Sequence, residues 1–107
     1  MTTNSEPIYS SLASDPDYVD LVKDFVNAFA SKAGAIHQCV SENNLVLLQR
    51  TMHQMRGACG SYGFPTLSES AAKVEERLKA GGTLESVDES ISEFLNLLAR
   101  ASAEKPR

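Results

Sequence analysis

The residues best suited to chemistry lie in the stretch 52–65, which reads MHQMRGACGSYGFP. His53 is followed by Arg56 three residues later and by Gly57 four residues later, and such spacings bring residues together on one face of an α-helix. Helical side chains lean towards the N-terminus, so a glycine at i+4 leaves residue i uncovered. The pattern indicates an open imidazole beside a cation. A neutral ring nitrogen of that kind is a nucleophile for a phosphoryl group brought by a partner protein.

A row of further residues lies beside His53 on the same helix. Gln49 and Gln54 are the expected polar neighbours of the ring. A glycine inside a helix costs about 0.5–1 kcal/mol relative to alanine, so Gly57 and Gly60 need a reason other than helix stability. Gly60 either keeps the surface low near His53 or lets another helix pack closely, and the sequence leaves both interpretations open.

Simpler interpretations of these residues are available. A histidine beside an apolar stripe is most often a boundary residue, and an arginine on a helix is most often a solvated charge. Arg56 and Gly57 favour a functional interpretation of His53, because packing does not explain them. His37 has no glycine four residues later, and we interpret it as an ordinary boundary residue.

The stretch resembles the motif of the histidine-containing phosphotransfer (Hpt) domain of multistep phosphorelays and two-component signalling. That motif runs histidine, two residues, lysine, glycine, small residues, a further glycine, and an apolar helix ending in glutamate. Here His53-Gln54-Met55-Arg56-Gly57 leads through Gly60 to Leu67, Ala71-Ala72 and Val74-Glu75. The resemblance covers roughly residues 15–100. It departs from the family at Arg56, where lysine is usual, which exchanges a point charge for a planar fork.

The resemblance implies a function and a set of partners. His53 is expected to accept a phosphoryl group from a receiver domain or from a sensor or hybrid histidine kinase, and to pass it to a response-regulator receiver domain. The receiver is expected to bring its own aspartates and Mg²⁺, so this chain needs no cofactor of its own. The chain would then be a carrier protein rather than an enzyme, since it has no nucleotide-binding segment.

The composition excludes several classes of protein. With 107 residues and a net charge of −4, the chain has room for one domain with a modest core and is a poor candidate for binding nucleic acid. Its beginning lacks the basic and apolar segments of a signal peptide, and no apolar run approaches the roughly 18 residues of a membrane span. Two cysteines are too few for a disulfide framework. We expect a monomeric cytoplasmic protein.

Charge is unevenly placed along the chain. No acidic residue lies between Glu42 and Glu69, and the cations of that segment are Arg50 and Arg56. This is either chance or a docking face for an acidic partner surface. Lys73 and Lys79 are candidates for extending that face, although solvated surface lysines are the commoner case.

Hydrophobic periodicity predicts the helices that position His53. The first begins at Asp15-Pro16-Asp17, with Asp15 as its cap, and runs to about residue 41. The His53 helix covers about 45–62 and ends at Gly63-Phe64-Pro65. A capping box at 66–69 then starts the third helix, Gly81-Gly82 ends it, and the last helix begins at Thr83 or Ser86.

The predicted fold is all-α. Short polar connections between four amphipathic helices predict an antiparallel up-down-up-down four-helix bundle. Residues 7–12 are interpreted as a short extra N-terminal helix that covers one end of the core with Ile8, Tyr9 and Leu12. The whole of 1–107 is then one domain, with its core at about 15–102 and loose ends at 1–6 and 103–107.

Two other functions compete with the carrier. A binding module of the same fold could use the face around His53 without phosphorylation, as a protein that sequesters a receiver. A metal- or haem-binding bundle is the other alternative, but the spacing of its candidate ligands matches no zinc pattern. Those candidates are His37, Cys39, His53 and Cys59. We interpret the cysteines as small buried apolar residues and expect no metal site.

Overall fold

The computed structural model describes residues 6–105, which form a helical bundle with a pair of very short strands. The strands, β1 (Ile8–Tyr9) and β2 (Ala101–Ser102), pair in parallel. The all-α prediction is confirmed at this level. Of the segments expected to be loose, 1–5 and 106–107 lie outside the described residues. The helices are α1 (Val19–Asn27), α2 (Phe29–Ser41), α3 (Leu45–Ser61), α4 (Pro65–Lys79) and α5 (Leu84–Arg100).

The helices enclose one hydrophobic core. Helix α3 packs on α4, α4 packs on α5, and α2 contacts both α3 and α5. The core takes its side chains from one apolar face of each helix. Fully buried members include Val22, Ile36, Leu48, Met52, Leu67, Val74, Val87 and Phe94. Because α3 is held on α4 along its length, these two helices set the geometry around His53.

The first predicted helix is two helices in the structure. A tight turn at Ala28 separates α1 from α2, and the Ala28 N–H donates to the carbonyl of Phe25, three residues earlier. Phe25 and Phe29 pack edge to face across this turn, with ring centroids 4.8 Å apart, and both lie against Phe64. No proline or glycine marks the break, so periodicity predicted one continuous helix.

One of two predicted helix starts has the expected cap residue. The cap predicted at Asp15 is wrong, because α1 begins at Val19 with Tyr18 as its N-cap and without a capping side chain. Asp15 instead accepts a hydrogen bond from the Asp17 N–H at 2.9 Å in the turn before the helix. Thr83 caps α5 and accepts from the Ser86 N–H, which settles the choice between the two candidates.

The capping box predicted at 66–69 is wrong. Helix α4 begins at Pro65, with Phe64 as its N-cap and without a capping side chain. Proline suits the first helical position because its missing N–H has no helical partner there. Ser68, which lies within the predicted box, instead donates to the backbone carbonyl of Arg56 at 2.7 Å and ties α4 to α3.

The connection between α3 and α4 turns at Gly63. Its φ of 82° lies in the left-handed region that favours glycine. The Ser11 N–H donates to the Gly63 carbonyl at 2.9 Å, and the Ser10 hydroxyl donates to the carbonyl of Tyr62. A Cβ on Gly63 would lie 2.6 Å from both serine hydroxyl oxygens. Backbone conformation and close packing therefore both require glycine.

The short N-terminal helix predicted over residues 7–12 is also wrong. Ile8 and Tyr9 form β1, with Ile8 opposite Ala101, and turns follow. A helix of this length does not overcome its own nucleation cost, whereas the extended segment pairs with β2 after α5 and donates from Ser11 to the Gly63 carbonyl after α3. Ile8 and Leu12 nevertheless pack against the core, as expected of that segment.

Candidate functional site

His53 lies on α3 beside the stripe that anchors this helix. The stripe itself is buried and consists of Leu48, Met52, Met55 and Cys59. His53 adjoins Met52, so it falls outside the core and towards α4. Its side chain is 68% exposed. The expectation of an imidazole open to solvent agrees with this geometry.

A buried carboxylate lies against one nitrogen of the His53 ring. Glu75 of α4 is 0% exposed, and its Oε2 is 2.6 Å from His53 Nδ1. Burial by itself raises the pKa of Glu75, but hydrogen bonds from Lys79, His53 and Arg56 outweigh burial and hold that pKa below its usual value. Glu75 is therefore ionised at neutral pH.

The ionised carboxylate selects one tautomer of the neutral His53 ring. A carboxylate can only accept a hydrogen bond, so Nδ1 must carry the proton and donate it to Glu75. The lone pair of the ring then lies on Nε2, the nitrogen that does not contact Glu75. The pair of residues thus presents one defined nucleophilic atom.

Two further cations bind the same carboxylate. Arg56 Nη1 donates to Glu75 Oε1 at 3.2 Å and lies 3.7 Å from Oε1 of Glu76. Lys79 Nζ is 3.1 Å from Glu75 Oε2. The Arg56 and Lys79 side chains are only 45% and 53% exposed. A buried charge needs such partners, and here α3 and α4 both supply them.

The structure brings Arg56 and Lys79 together in a way that the sequence did not predict. Arg56 was expected beside the ring and Lys79 on a wider docking face. Both also contact Glu75, the carboxylate that binds His53. Their roles towards a phosphoryl group stay predictions.

The two glycines near His53 differ in their surroundings. A Cβ added at Gly57 would meet no atom within 4 Å, so the space beside the ring is open. A Cβ at Gly60 would lie 3.4 Å from the Ser68 hydroxyl of α4, an ordinary contact. Gly60 therefore faces α4, which favours the interpretation that it serves helix packing.

The remaining predicted site residues lie outside the carboxylate cluster. Gln49 is half-buried, Gln54 and Arg50 are exposed, and none of the three forms a side-chain hydrogen bond within the described residues. Lys73 lies 4.0 Å from Glu93 of α5. No contact joins these four predicted residues to Glu75 in the described part of the chain.

Sequence reasoning missed the role of Glu75. The available signal is its position on α4, four residues after Ala71 and three before Leu78, which puts it on the buried stripe. A charged residue on a buried face requires cationic or hydrogen-bonding partners. Lys79, four residues after Glu75, would have been the first candidate for a cationic partner of this carboxylate.

The cysteines offer no second reactive site. Cys39 and Cys59 are free and buried, as predicted. Burial raises the pKa of the Cys59 thiol to about 12, which leaves it protonated and unreactive. Within residues 6–105, no group of three or more His, Cys, Asp and Glu side chains is arranged to hold a metal ion.

The family comparison agrees with the residues at this site. The model of the Hpt domain family matches residues 20–104, a span that includes both His53 and Glu75. No significant match was found among curated proteins or among solved structures. In the described part of the chain, no helix combines the length and apolar character needed to span a bilayer.

Proposed function

The chain belongs to the Hpt domain family, which carries out histidine phosphotransfer in two-component signalling, and we propose that His53 is its phosphoacceptor. The observation that carries this proposal is the 2.6 Å contact between Glu75 Oε2 and His53 Nδ1 beneath an exposed ring. That contact leaves Nε2 as the atom to receive the phosphoryl group.

The proposed step forms one bond and breaks one. The Nε2 lone pair of His53 attacks phosphorus in a phosphoaspartate of the partner, and the P–O bond breaks with its electron pair left on the aspartate carboxylate. The ring keeps its Nδ1 proton and becomes a cation. The Glu75 carboxylate stabilises that cation through a charge-assisted hydrogen bond. Transfer to a second receiver is the same step in reverse.

The partners of an Hpt domain are two-component proteins such as receiver domains and kinases. We propose that a receiver supplies the acidic residues and the Mg²⁺ that position the phosphoryl group. The present chain then contributes an oriented imidazole and acts as a carrier. Phosphoryl transfer depends mainly on positioning and charge stabilisation, which a rigid helix face can provide.

The solvent face of α3 is the proposed docking surface. Arg50 lies about one turn before His53, and Gly57 lies one turn after it. Val46 and Leu47, at the start of the same helix, are 74% and 43% exposed. Exposed apolar area beside cationic side chains suits a receiver surface that combines apolar and acidic groups.

Two finer points complete the proposal. The short connections at 42–44, 62–64 and 80–83 support the antiparallel up-down-up-down order of the helices. The free, buried state of Cys39 and Cys59 supports a reducing compartment such as the cytoplasm.

The test is transfer from a receiver to this protein. A receiver loaded with acetyl phosphate, or by its kinase, is mixed with the chain, and labelled protein is treated with acid and with base. We expect an acid-labile, base-stable phosphate on the wild type and none on His53→Gln.

The chain offers a matched control for that test. His37 is the only other histidine and is also exposed, so His37→Gln should keep full labelling. Label that persists in His53→Gln, or that disappears in His37→Gln, would contradict the assignment of His53.

A further inference from the structure

One oxygen of Glu75 is shared by two donors. Oε2 lies 2.6 Å from His53 Nδ1 and 3.1 Å from Lys79 Nζ, while Arg56 binds Oε1 at 3.2 Å. When a cation donates a hydrogen bond to an acceptor atom, that atom offers less electron density to its other donor. The ammonium of Lys79 and the imidazole of His53 therefore compete for the same oxygen.

We propose that Lys79 tunes the phosphorylated ring of His53 through Glu75, by limiting how strongly the carboxylate holds the Nδ1 proton. This inference rests on the proposed function of His53 as the phosphoacceptor. It makes Lys79 a positioning residue that acts through Glu75, without contact to the phosphoryl group.

The chemistry of the phosphorylated ring gives this competition a consequence. With phosphorus on Nε2 and a proton on Nδ1, the ring is a cation. In hydrolysis, water attacks phosphorus and the P–Nε2 bond breaks, with the electron pair returning to Nε2 and the Nδ1 proton staying in place. Loss of the Nδ1 proton beforehand removes this route, because the ring would have to leave as an anion. The pH at which Nδ1 loses its proton thus limits the range in which the phosphoryl group is labile.

The surrounding charges set the direction of the effect. Glu75 stabilises the cationic ring, whereas Lys79 and Arg56 oppose it by partly neutralising Glu75. Glu76 approaches Arg56 at 3.7 Å and moderates that cation. Among the described residues, no charged side chain of α5 pairs with Glu75. Removal of the Lys79 charge should strengthen the hold of Glu75 on the Nδ1 proton.

The experiment measures the protonation of phosphohistidine directly. The intact protein, carrying His37→Gln so that one histidine remains, is loaded with phosphoramidate, a small donor whose P–N bond breaks with release of ammonia. The phosphorus NMR shift and the hydrolysis rate are then followed against pH. This loading needs no receiver, so its result is independent of the transfer test for the proposed function.

We expect Lys79→Met to raise the pH midpoint for loss of the Nδ1 proton by about 0.5–1 unit. This is at or below the lower end of the effect of a nearby charge, because Lys79 is half-exposed. Lys79→Arg keeps the charge and should keep the wild-type midpoint. Glu75→Gln should lower it. Lys73→Met is the matched control, since this lysine of α4 pairs with Glu93 instead of Glu75, and it should leave the midpoint unchanged.

The sign of the shift separates tuning from simple support. If Lys79 only held Glu75 in place, Lys79→Met would release the carboxylate and lower the midpoint, as Glu75→Gln does. A lowered or unchanged midpoint in Lys79→Met, or an equal rise in Lys73→Met, would overturn the inference even if receivers exchange phosphoryl groups with His53. A raised midpoint alongside failed exchange would support the tuning and reject the relay.

Discussion

Helices α2 and α3 each present a histidine and a glycine to solvent, and only one pair has the surroundings of a reactive site. His37 and His53 are both exposed, and a Cβ at Gly34 or Gly57 would meet nothing within 4 Å. His53 contacts the buried Glu75. His37 has no hydrogen-bond or ion-pair partner within residues 6–105. Exposure therefore does not distinguish the two rings, whereas a buried carboxylate does.

The order of the residues along each helix adds a second difference. Gly57 follows His53 by four residues, so the missing side chain is the one that would lean over the ring. Gly34 precedes His37, and position 41, four residues after His37, holds a serine. The glycine of α3 is thus placed to leave its imidazole uncovered, whereas the glycine of α2 is not.

The largest expected effect comes from covering the His53 ring. Gly57→Leu should reduce transfer from a loaded receiver by about 100-fold, because misplacement of the reacting atoms by about 1 Å costs that much. Gly34→Leu is the control on α2 and should transfer at the wild-type rate. The measurement is single-turnover transfer, with circular dichroism to check helicity. Equal losses in the two variants would show that helix surface changes in general, and not access to His53, govern the rate.

A smaller loss is expected when Glu75 loses its charge. Glu75→Gln keeps an acceptor for His53 Nδ1 but replaces a charge-assisted hydrogen bond by a neutral one, worth about 1–1.5 kcal/mol less. Transfer to His53 should slow by about tenfold. Glu42→Gln removes an exposed carboxylate that accepts from Gln38 on α2 and should have no effect. An unchanged rate in Glu75→Gln would mean that the charge of Glu75 contributes nothing to transfer.

Glu75 should also make the stability of the protein depend on pH. Its pKa is lowered in the folded state, despite burial, by Lys79, His53 and Arg56. The native state therefore binds fewer protons than the unfolded chain in the acid range. The stabilisation is complete above the ordinary pKa of 4.5 and is lost as the pH falls through the lower folded value, with a slope of at most about 1.4 kcal/mol per pH unit.

Urea unfolding at a series of pH values tests this contribution. The free energy of unfolding of the wild type, minus that of Glu75→Gln, should shrink as the pH falls below 4.5. A difference that grows below that pH would mean that the folded state favours protonated Glu75, which contradicts the assigned tautomer of His53.

The sequence predicted the helices and the exposed histidine because both depend on local periodicity. The apolar stripe of α3 predicts that His53 lies just outside the core, and Gly57 can be read directly from the sequence. The Gly81-Gly82 stop and the Thr83 cap are equally local. Such features depend on neighbours along one helix.

The features that the sequence did not predict depend on contacts between distant segments. The break at Ala28 accompanies packing of Phe25 and Phe29 on Phe64, far along the chain. The strand at Ile8–Tyr9 exists because Ala101–Ser102 lies beside it. Glu75 is 22 positions from His53, and its contact with the ring depends on how α4 packs on α3.

The smallest predicted effect compares the two open glycines in stability as well as in transfer. Gly57→Ala and Gly34→Ala should each raise the free energy of unfolding by about 0.5–1 kcal/mol, since both sites are helical with room for a Cβ. Denaturant unfolding measures this, and only Gly57→Ala should slow transfer, by a few-fold. Equal stabilisation with unequal transfer would mean that glycine is kept at 57 for access to His53 at the expense of helix stability. If Gly57→Ala destabilised the fold, the backbone at position 57 would require glycine. Glu75 would then be the one remaining difference between the surroundings of His37 on α2 and those of His53 on α3.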